Sequence, residues 1–278
     1  MTGWARPRRR SDVSLNVIVY GLALITLIPF AVVVSWSFKT QPEIFTVPIS
    51  LVPRQPTFDN YVKLFTDSGF NKFFPNSIFV AIGYTSFGVL WCAMGGWALA
   101  HYRSRLNSPL LVLLIIVTAL PFQVLIISVF LLVVRLGLNN SLWALIIPFS
   151  ASPYGILFMR QYMLSLPTEV FEAARLDGAS EIRIFRSVVL PMSRPGLAAL
   201  AIFLFLDSWN DFLWPLIAIQ QTANFTVPIG MNTLIGLFKI EYGQIMAASV
   251  LALLPVTVIL LLMQRQFLAG LTSGAVRR

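Results

Sequence analysis

The 278-residue sequence has one cysteine and one histidine, and only 11% of its residues are charged. Cys92 has no second sulfur to pair with, so an intrachain disulfide is excluded. His101 is equally alone, and at the end of an apolar run it is expected at the surface rather than on a metal. No G-x4-G-K-[ST] stretch occurs, which excludes the phosphate-cradling loop of an ATPase. The sequence also shows no nucleophile–base pair, no cluster of metal-ligating residues, no internal repeat and no low-complexity tract. An enzyme is therefore not expected. A soluble domain carries about 25% charged residues, and this chain falls far below that.

What fills the space is hydrocarbon. Hydrophobic residues make up 57% of the chain and the mean hydropathy is +0.80. A membrane-spanning helix needs about 20 mostly apolar residues. Charge-free runs of that length cover 13–38, 73–100, 106–134, 136–159 and 242–264, and a sixth after Pro195 is interrupted only by Asp207 and Asp211. None shows the polar face that a soluble surface helix requires. The expectation is an all-α membrane protein, one transmembrane domain over 1–278, with six helices near 15–37, 75–100, 109–133, 142–160, 196–219 and 246–264. Arg6 and Arg8 to Arg10 resemble the basic start of a signal peptide. The apolar run behind them is much longer than a signal peptide needs and no cleavage site follows it, so a retained helix is expected. Pro29, Pro121, Pro148, Pro153, Pro215 and Pro255 lie within the spans, where proline frees a carbonyl and bends a helix.

The basic residues are unevenly shared. With six helices both termini lie on one side, and fourteen Lys and Arg fall on that side against six on the other. Lys and Arg concentrate on the cytoplasmic side of a membrane. Both termini and the segment 161–195 are thus expected in the cytoplasm, and the net charge of +9 reads as topology rather than as nucleic-acid binding. The outward loops are 39–72, rich in proline, 134–141 and 220–245.

One cytoplasmic stretch stands apart. EAARLDGASEIRIFRSVVLP, residues 172–191, holds six charges: Glu172, Arg175, Asp177, Glu181, Arg183 and Arg186. Its pattern predicts two short helices. Thr168 is placed to cap the first, with Glu169 and Glu172 near its positive end. Gly178 ends it. Ser180 caps a second helix that carries Ile182, Phe185 and Val189 at helical spacing, before Pro191 and Pro195 return the chain to the membrane. Ala174 and Gly178, four apart, share a face on which another backbone can approach closely, flanked by Glu172 and Arg175. On the residues alone, a docking helix and a solvated amphipathic loop are equally good readings.

A second polar anomaly lies within a span. Asp207, Asn210, Asp211 and Trp214 fall at i, i+3, i+4 and i+7, one helical stripe. Ionisable groups in a membrane span usually face a cavity or the bundle interior. Carboxylate and amide groups hydrogen-bond hydroxyls, and aromatic faces suit the apolar faces of sugar rings. The stripe reads as pathway-lining, or as a structural interhelix pair with Trp214 at the interface. Asp207 and Asp211 would equally serve an ion-coupled secondary transporter, a reading that leaves the cytoplasmic stretch unexplained.

The spacing Glu172-Ala173-Ala174, three residues, Gly178, nine residues, Val188, one residue, Leu190-Pro191 resembles the EAA loop of ABC-importer permeases, with Val188 in place of the usual isoleucine. The segment from Trp209 to Pro215 resembles the WNEF-LWPL stretch of the carbohydrate branch, the maltose-importer-like permeases, with Asp211 where glutamate is common. Asp59-Asn60-Tyr61, Asn76-Ser77 and the tail from Gln264 to Val276 extend the likeness over most of the chain, to the second, shorter six-helix subunit. The resemblance implies that Glu172, Ala173, Ala174, Arg175, Asp177 and Gly178 form a coupling helix seated on an ATPase. It implies two copies of that cytoplasmic ATPase, which bind ATP and Mg, a second permease and an extracytoplasmic binding protein as partners, in a bacterial-type inner membrane. It also implies a sugar or oligosaccharide as cargo, or glycerol 3-phosphate or a glycerophosphodiester, carried by close relatives. The loop 220–245 is then the candidate contact with the binding protein, and the glycine-rich tail with the ATPase pair.

Overall fold

A computed structural model describes residues 10–102, 104–236 and 240–273, with side chains for 15–102, 104–236 and 240–264. Arg6, Arg8, Arg9, Arg103, Lys239, Arg277 and Arg278, on which the sidedness count draws, lie outside the described residues, as do Gly274, Ala275 and Val276 of the tail.

In chain order the helices are α1 Arg10–Ser37, α2 Gln41–Ile44, α3 Asp59–Thr66, α4 Phe70–His101, α5 Asn107–Ala119, α6 Phe122–Arg135, α7 Trp143–Ile146, α8 Pro153–Met163, α9 Thr168–Leu176, α10 Glu181–Ile184, α11 Leu190–Met192, α12 Arg194–Asn210, α13 Leu213–Ala218, α14 Val227–Thr233 and α15 Tyr242–Ser273. Three of them cross a membrane by length and composition: Leu15–Ser37, Phe70–His101 and Tyr242–Gln264. Two bent pairs also qualify, α5 with α6 at 105° and Glu181–Met192 with α12 at 78°.

Each of the six expected spans contains helix, but three are broken, and α7 and α8, of 4 and 11 residues, are each too short to be the single span expected at 142–160; the breaks have local causes. Leu120 precedes Pro121 and is extended, with φ −78° and ψ 127°, because a residue before proline is pushed out of the helical region. The span expected at 142–160 divides into α7 and α8 around Pro148 and Pro153; Ser152 caps α8, its hydroxyl accepting from the Gly155 N–H at 3.3 Å. The span expected at 196–219 breaks at Asp211, whose ψ is 124°. Pro215 cannot return a hydrogen bond to the Asp211 carbonyl and its ring crowds it.

The described chain divides into two compact units, 1–68 with 234–253 and 69–233 with 254–278. In the first, α1 is apolar around its circumference and almost unpacked, with Val17, Tyr20 and Leu24 66%, 70% and 68% exposed. A helix that is hydrophobic on every side belongs in lipid or against another membrane helix. Its end is fixed by Asn60, whose amide donates to the Ser37 carbonyl at 2.8 Å and to the Lys39 carbonyl at 2.7 Å. Tyr61 adds a hydroxyl contact to Ser37 at 2.8 Å. Within the Asp59-Asn60-Tyr61 signature, Asn60 is thus a carbonyl clamp.

In the second unit α4 is the spine, packed against α8 and α12. Glycine permits the approach: a Cβ on Gly96 would lie 2.7 Å from the Met159 Cβ and 2.8 Å from the Arg160 nitrogen. Trp97, Met159, Met163, Phe171, Ile184 and Leu200 form one buried cluster, and Val80, Ile146 and Trp214 belong to another. Asn76 and Ser77 hold the chain at 223–227. The Asn76 amide donates to the Ala223 and Phe225 carbonyls at 2.9 and 3.0 Å, and the Val227 N–H donates to the Ser77 hydroxyl at 2.7 Å.

Candidate functional site

The stretch 168–192 is built as a bolted elbow. α9 begins at Thr168 with Pro167 before it and no side-chain cap, so the expected Thr168 cap is not formed. Thr168 is already the first helical residue, and the extended Pro167, with φ −66° and ψ 123°, takes the capping position. The other end behaves as its residues dictate. Gly178 has φ +77°. Its N–H donates to the Arg175 carbonyl and that of Ala179 to the Ala174 carbonyl, both at 3.0 Å, the paired bonds of a glycine-terminated helix. Ser180 caps α10, accepting from the Arg183 N–H at 3.4 Å.

The second helix departs from its expected face. Phe185–Val189 form a π turn just before Pro191, which has no N–H to return to the preceding turn. The wider turn shifts the register. Ile184 and Val189 are buried, whereas Ile182, expected on the packed face, is 71% exposed.

Phe171 fastens α9 to the spine. It is the one buried residue of α9, set edge-on to Trp97 with ring centroids 4.9 Å apart and to His101 at 5.1 Å. His101 is not the free surface residue expected: it is half-buried and stacked on Trp97 at 3.9 Å. A polar latch adds to this. Arg175 Nε donates to Glu181 Oε1 at 2.8 Å, and the Tyr102 hydroxyl donates to Glu181 Oε2 at 2.5 Å. Arg175 first, then Tyr102, hold the Glu181 carboxyl below the usual carboxylate range. Burial, then the bond to Glu181, push the Tyr102 phenol up.

The residues of the expected coupling helix lie mostly on the outside. Glu172, Ala173, Arg175, Asp177 and Gly178 are exposed and Ala174 is half-buried. Leu176 is 89% exposed. A Cβ on Gly178 would meet nothing within 4 Å.

The second cluster surrounds a cavity of about 270 Å³ lined by Tyr84, Asp207, Asp211, Trp214 and others of α4, α6, α7, α12 and α13. The structure brings together three of the four expected stripe residues but not as a helical stripe. The break at Asp211 turns the chain, and the Asp211 carboxylate accepts from the Trp214 N–H at 3.4 Å. Asn210 does not line the cavity; its amide donates back to the Leu206 carbonyl at 2.8 Å. Trp214 is buried rather than interfacial. Its indole N–H donates to the Ala144 carbonyl at 3.0 Å, and its ring meets Phe149 edge-on at 5.4 Å. Asp207 is joined by a residue the sequence did not single out: the Tyr84 hydroxyl donates to it at 3.0 Å. The only advance sign of Tyr84 was a phenol within an apolar span.

Among the described residues, no three His, Cys, Asp or Glu side chains gather as a metal site.

Comparison with known proteins finds relatives of the whole chain. The family model described as "Binding-protein-dependent transport system inner membrane component" matches residues 92–272. The arabinooligosaccharides transport system permease protein AraQ of Halalkalibacterium halodurans is 36% identical, over 92% of this chain and 93% of that protein. The sn-glycerol-3-phosphate transport system permease protein UgpE of Pectobacterium atrosepticum is 30% identical, over 96% of this chain and 98% of that one. Among solved structures, a chain of a bacterial ABC transporter involved in the import of the acidic polysaccharide alginate aligns with a TM-score of 0.82 at 22% identity, over 96% of this chain and all of that one.

Proposed function

The chain belongs to the family of binding-protein-dependent transport system inner membrane components, and on that premise we propose that it is a permease subunit of an ATP-driven ABC importer. It forms half of the translocation pathway for a sugar or oligosaccharide delivered by an extracytoplasmic binding protein. The chain itself does no chemistry. ATP, with Mg, is bound and hydrolysed by two copies of a cytoplasmic ATPase subunit, and a second permease completes the membrane pathway.

The observation that carries this reading is the elbow at 168–192. Its inner side is locked to α4 through Phe171, while Glu172, Ala173, Leu176 and Gly178 face outward. A rigid, externally presented helix tied to a membrane-spanning helix is the part a coupling role requires. ATP closes the ATPase pair, α9 is displaced, and α4 carries the displacement to the cavity at Tyr84, Asp207 and Asp211. ATP biases the inward-open and outward-open states only through contacts that differ between them, and the exposed face of α9 supplies such contacts. Asp207, Asp211 and Trp214 are the pathway residues; Asn210, turned onto its own helix, contributes to shape.

The excess of Lys and Arg on one side supports six spans with both termini and the elbow in the cytoplasm of a bacterial-type cell, in the inner membrane. The loop 220–245 then faces the binding protein. The 30% likeness to a glycerol-3-phosphate permease supports an alternative reading, in which glycerol 3-phosphate or a glycerophosphodiester is the cargo instead of a sugar.

The test is to purify the tagged chain from its native membrane in mild detergent and identify what accompanies it. An ATPase and a second permease are the expected companions. A chain that emerges alone, under conditions where comparable complexes survive, sinks the reading.

A further inference from the structure

The cavity also carries information about charge. Resting on the reading of this chain as half of a transport pathway, we propose that the cavity at Tyr84, Asp207, Asp211 and Thr226 selects an uncharged polyhydroxylated ligand, a neutral sugar unit, and rejects phosphorylated or acidic ones.

Two carboxylates line the cavity, and no Lys, Arg or His stands among its eleven lining residues. Recognition of a phosphate or a uronate depends on such cations or on the free N–H groups of a helix start. The helix start available here is that of α13, and its Trp214 N–H is already engaged by Asp211. An anion entering this space meets two carboxyl groups and no charged donor.

A neutral sugar meets what it needs. Ionised carboxylates only accept, and sugar hydroxyls donate. Tyr84 spends its proton on Asp207, leaving its oxygen as a further acceptor. Phe122, Phe149 and Trp214 stand edge-to-face against one another, an apolar wall of the kind sugar ring faces pack against.

Thr226 points independently to a ligand. It lines the same cavity, is 4% exposed, and its hydroxyl has no hydrogen-bond partner. A buried hydroxyl left unpaired is costly, and a ligand hydroxyl or ring oxygen in the cavity is the partner it lacks. A bare cation offers Thr226 an electrostatic contact but leaves the aromatic wall unused, and among the described residues no third acidic, His or Cys group joins the two aspartates.

The experiment uses the complete membrane complex, reconstituted without binding protein so that this cavity rather than the delivery protein is read. It is titrated with arabinotriose, maltotriose and lactose, with digalacturonate and glycerol 3-phosphate, and with glucosamine, followed by saturation-transfer NMR. At least one neutral probe is expected to bind, and to bind about tenfold more weakly in Thr226→Val and in Asp211→Asn. Thr226→Ser, which keeps the hydroxyl, is expected to restore binding and so separates recognition from folding. The proposal is overturned if an anionic or cationic probe binds as well as the best neutral one, if no neutral probe binds, or if the variants bind unchanged. ATP-driven uptake by the same preparation, with its binding protein added back, reports on the importer reading separately: uptake together with a failed titration sinks only the selectivity.

Discussion

Phe171 stands edge-on to Trp97, their ring centroids 4.9 Å apart and their planes at 77°. One residue before the EAA triplet, it is the sole buried side chain of α9. α9 therefore has one apolar bolt and one polar latch, and their energies differ. Emptying a buried phenylalanine site costs about 3–5 kcal/mol, whereas an exposed ion pair contributes about 0–1 kcal/mol.

Phe171→Ala is accordingly expected to free α9 from α4 while leaving the rest of the second unit folded. In the reconstituted complex, ATP hydrolysis should persist while uptake per ATP falls about tenfold or more, and Phe171→Leu should fall between. Uptake that keeps pace with hydrolysis in Phe171→Ala would show that α9 transmits nothing through this ring.

The latch predicts a pH dependence of limited size. Arg175 and Tyr102 depress the Glu181 carboxyl from its ordinary value of 4.5. A carboxyl lowered in the folded state stabilises the fold above its unfolded value, and that stabilisation is lost as pH falls through the folded value. Near neutrality the latch is closed, and it opens only below about pH 4.5. Glu181→Gln should mimic the acid state at pH 7, raising amide exchange across 175–183 several-fold without abolishing uptake. Exchange identical to that of the native chain at both pH values would mean that the ion pair holds nothing.

On the exposed side, Glu172→Lys reverses the charge of an exposed residue, and Gly178→Asp adds a side chain where there is open space. Aspartate tolerates a positive φ better than most residues, so both chains should insert and assemble normally. The complexes that contain them are expected to hydrolyse ATP without matching uptake. Normal uptake in both would remove the coupling role from this face.

The features legible in the sequence were those with local causes. Gly178 and Ser180 act through their own and neighbouring backbone groups, so their roles as helix stop and helix start followed from residue type. The apolar spans were equally plain, because bilayer length sets them. What escaped depended on neighbours distant in sequence or on how a proline resolves. Pro215 was visible, but that it would straighten Asp211 and pull the stripe apart was not. The π turn before Pro191 moved Ile182 to the outside by a register change that spacing alone does not reveal. Phe171, Tyr84 and Thr226 acquire their roles only from residues distant in sequence.

The packing of the α4 spine supports a final prediction. Gly96 lies where a Cβ would come within 2.8 Å of the Arg160 backbone nitrogen, and within 2.7 Å of the Met159 Cβ. Those contacts are backbone and the root of a side chain, which cannot swing aside. Gly21, in α1, has nothing within 4 Å. Both glycines are helical, so alanine gains about 0.8–1.0 kcal/mol of helix propensity at each. At Gly96 that gain is outweighed by an overpacking cost of about 1–3 kcal/mol or more, since α4 and α8 must separate to admit the methyl group. Gly96→Ala should therefore lower the melting temperature of the detergent-solubilised complex, while Gly21→Ala should leave it unchanged or raise it. If the two shift together, the melt is not reporting the α4–α8 contact, and that contact is not what holds the second unit together.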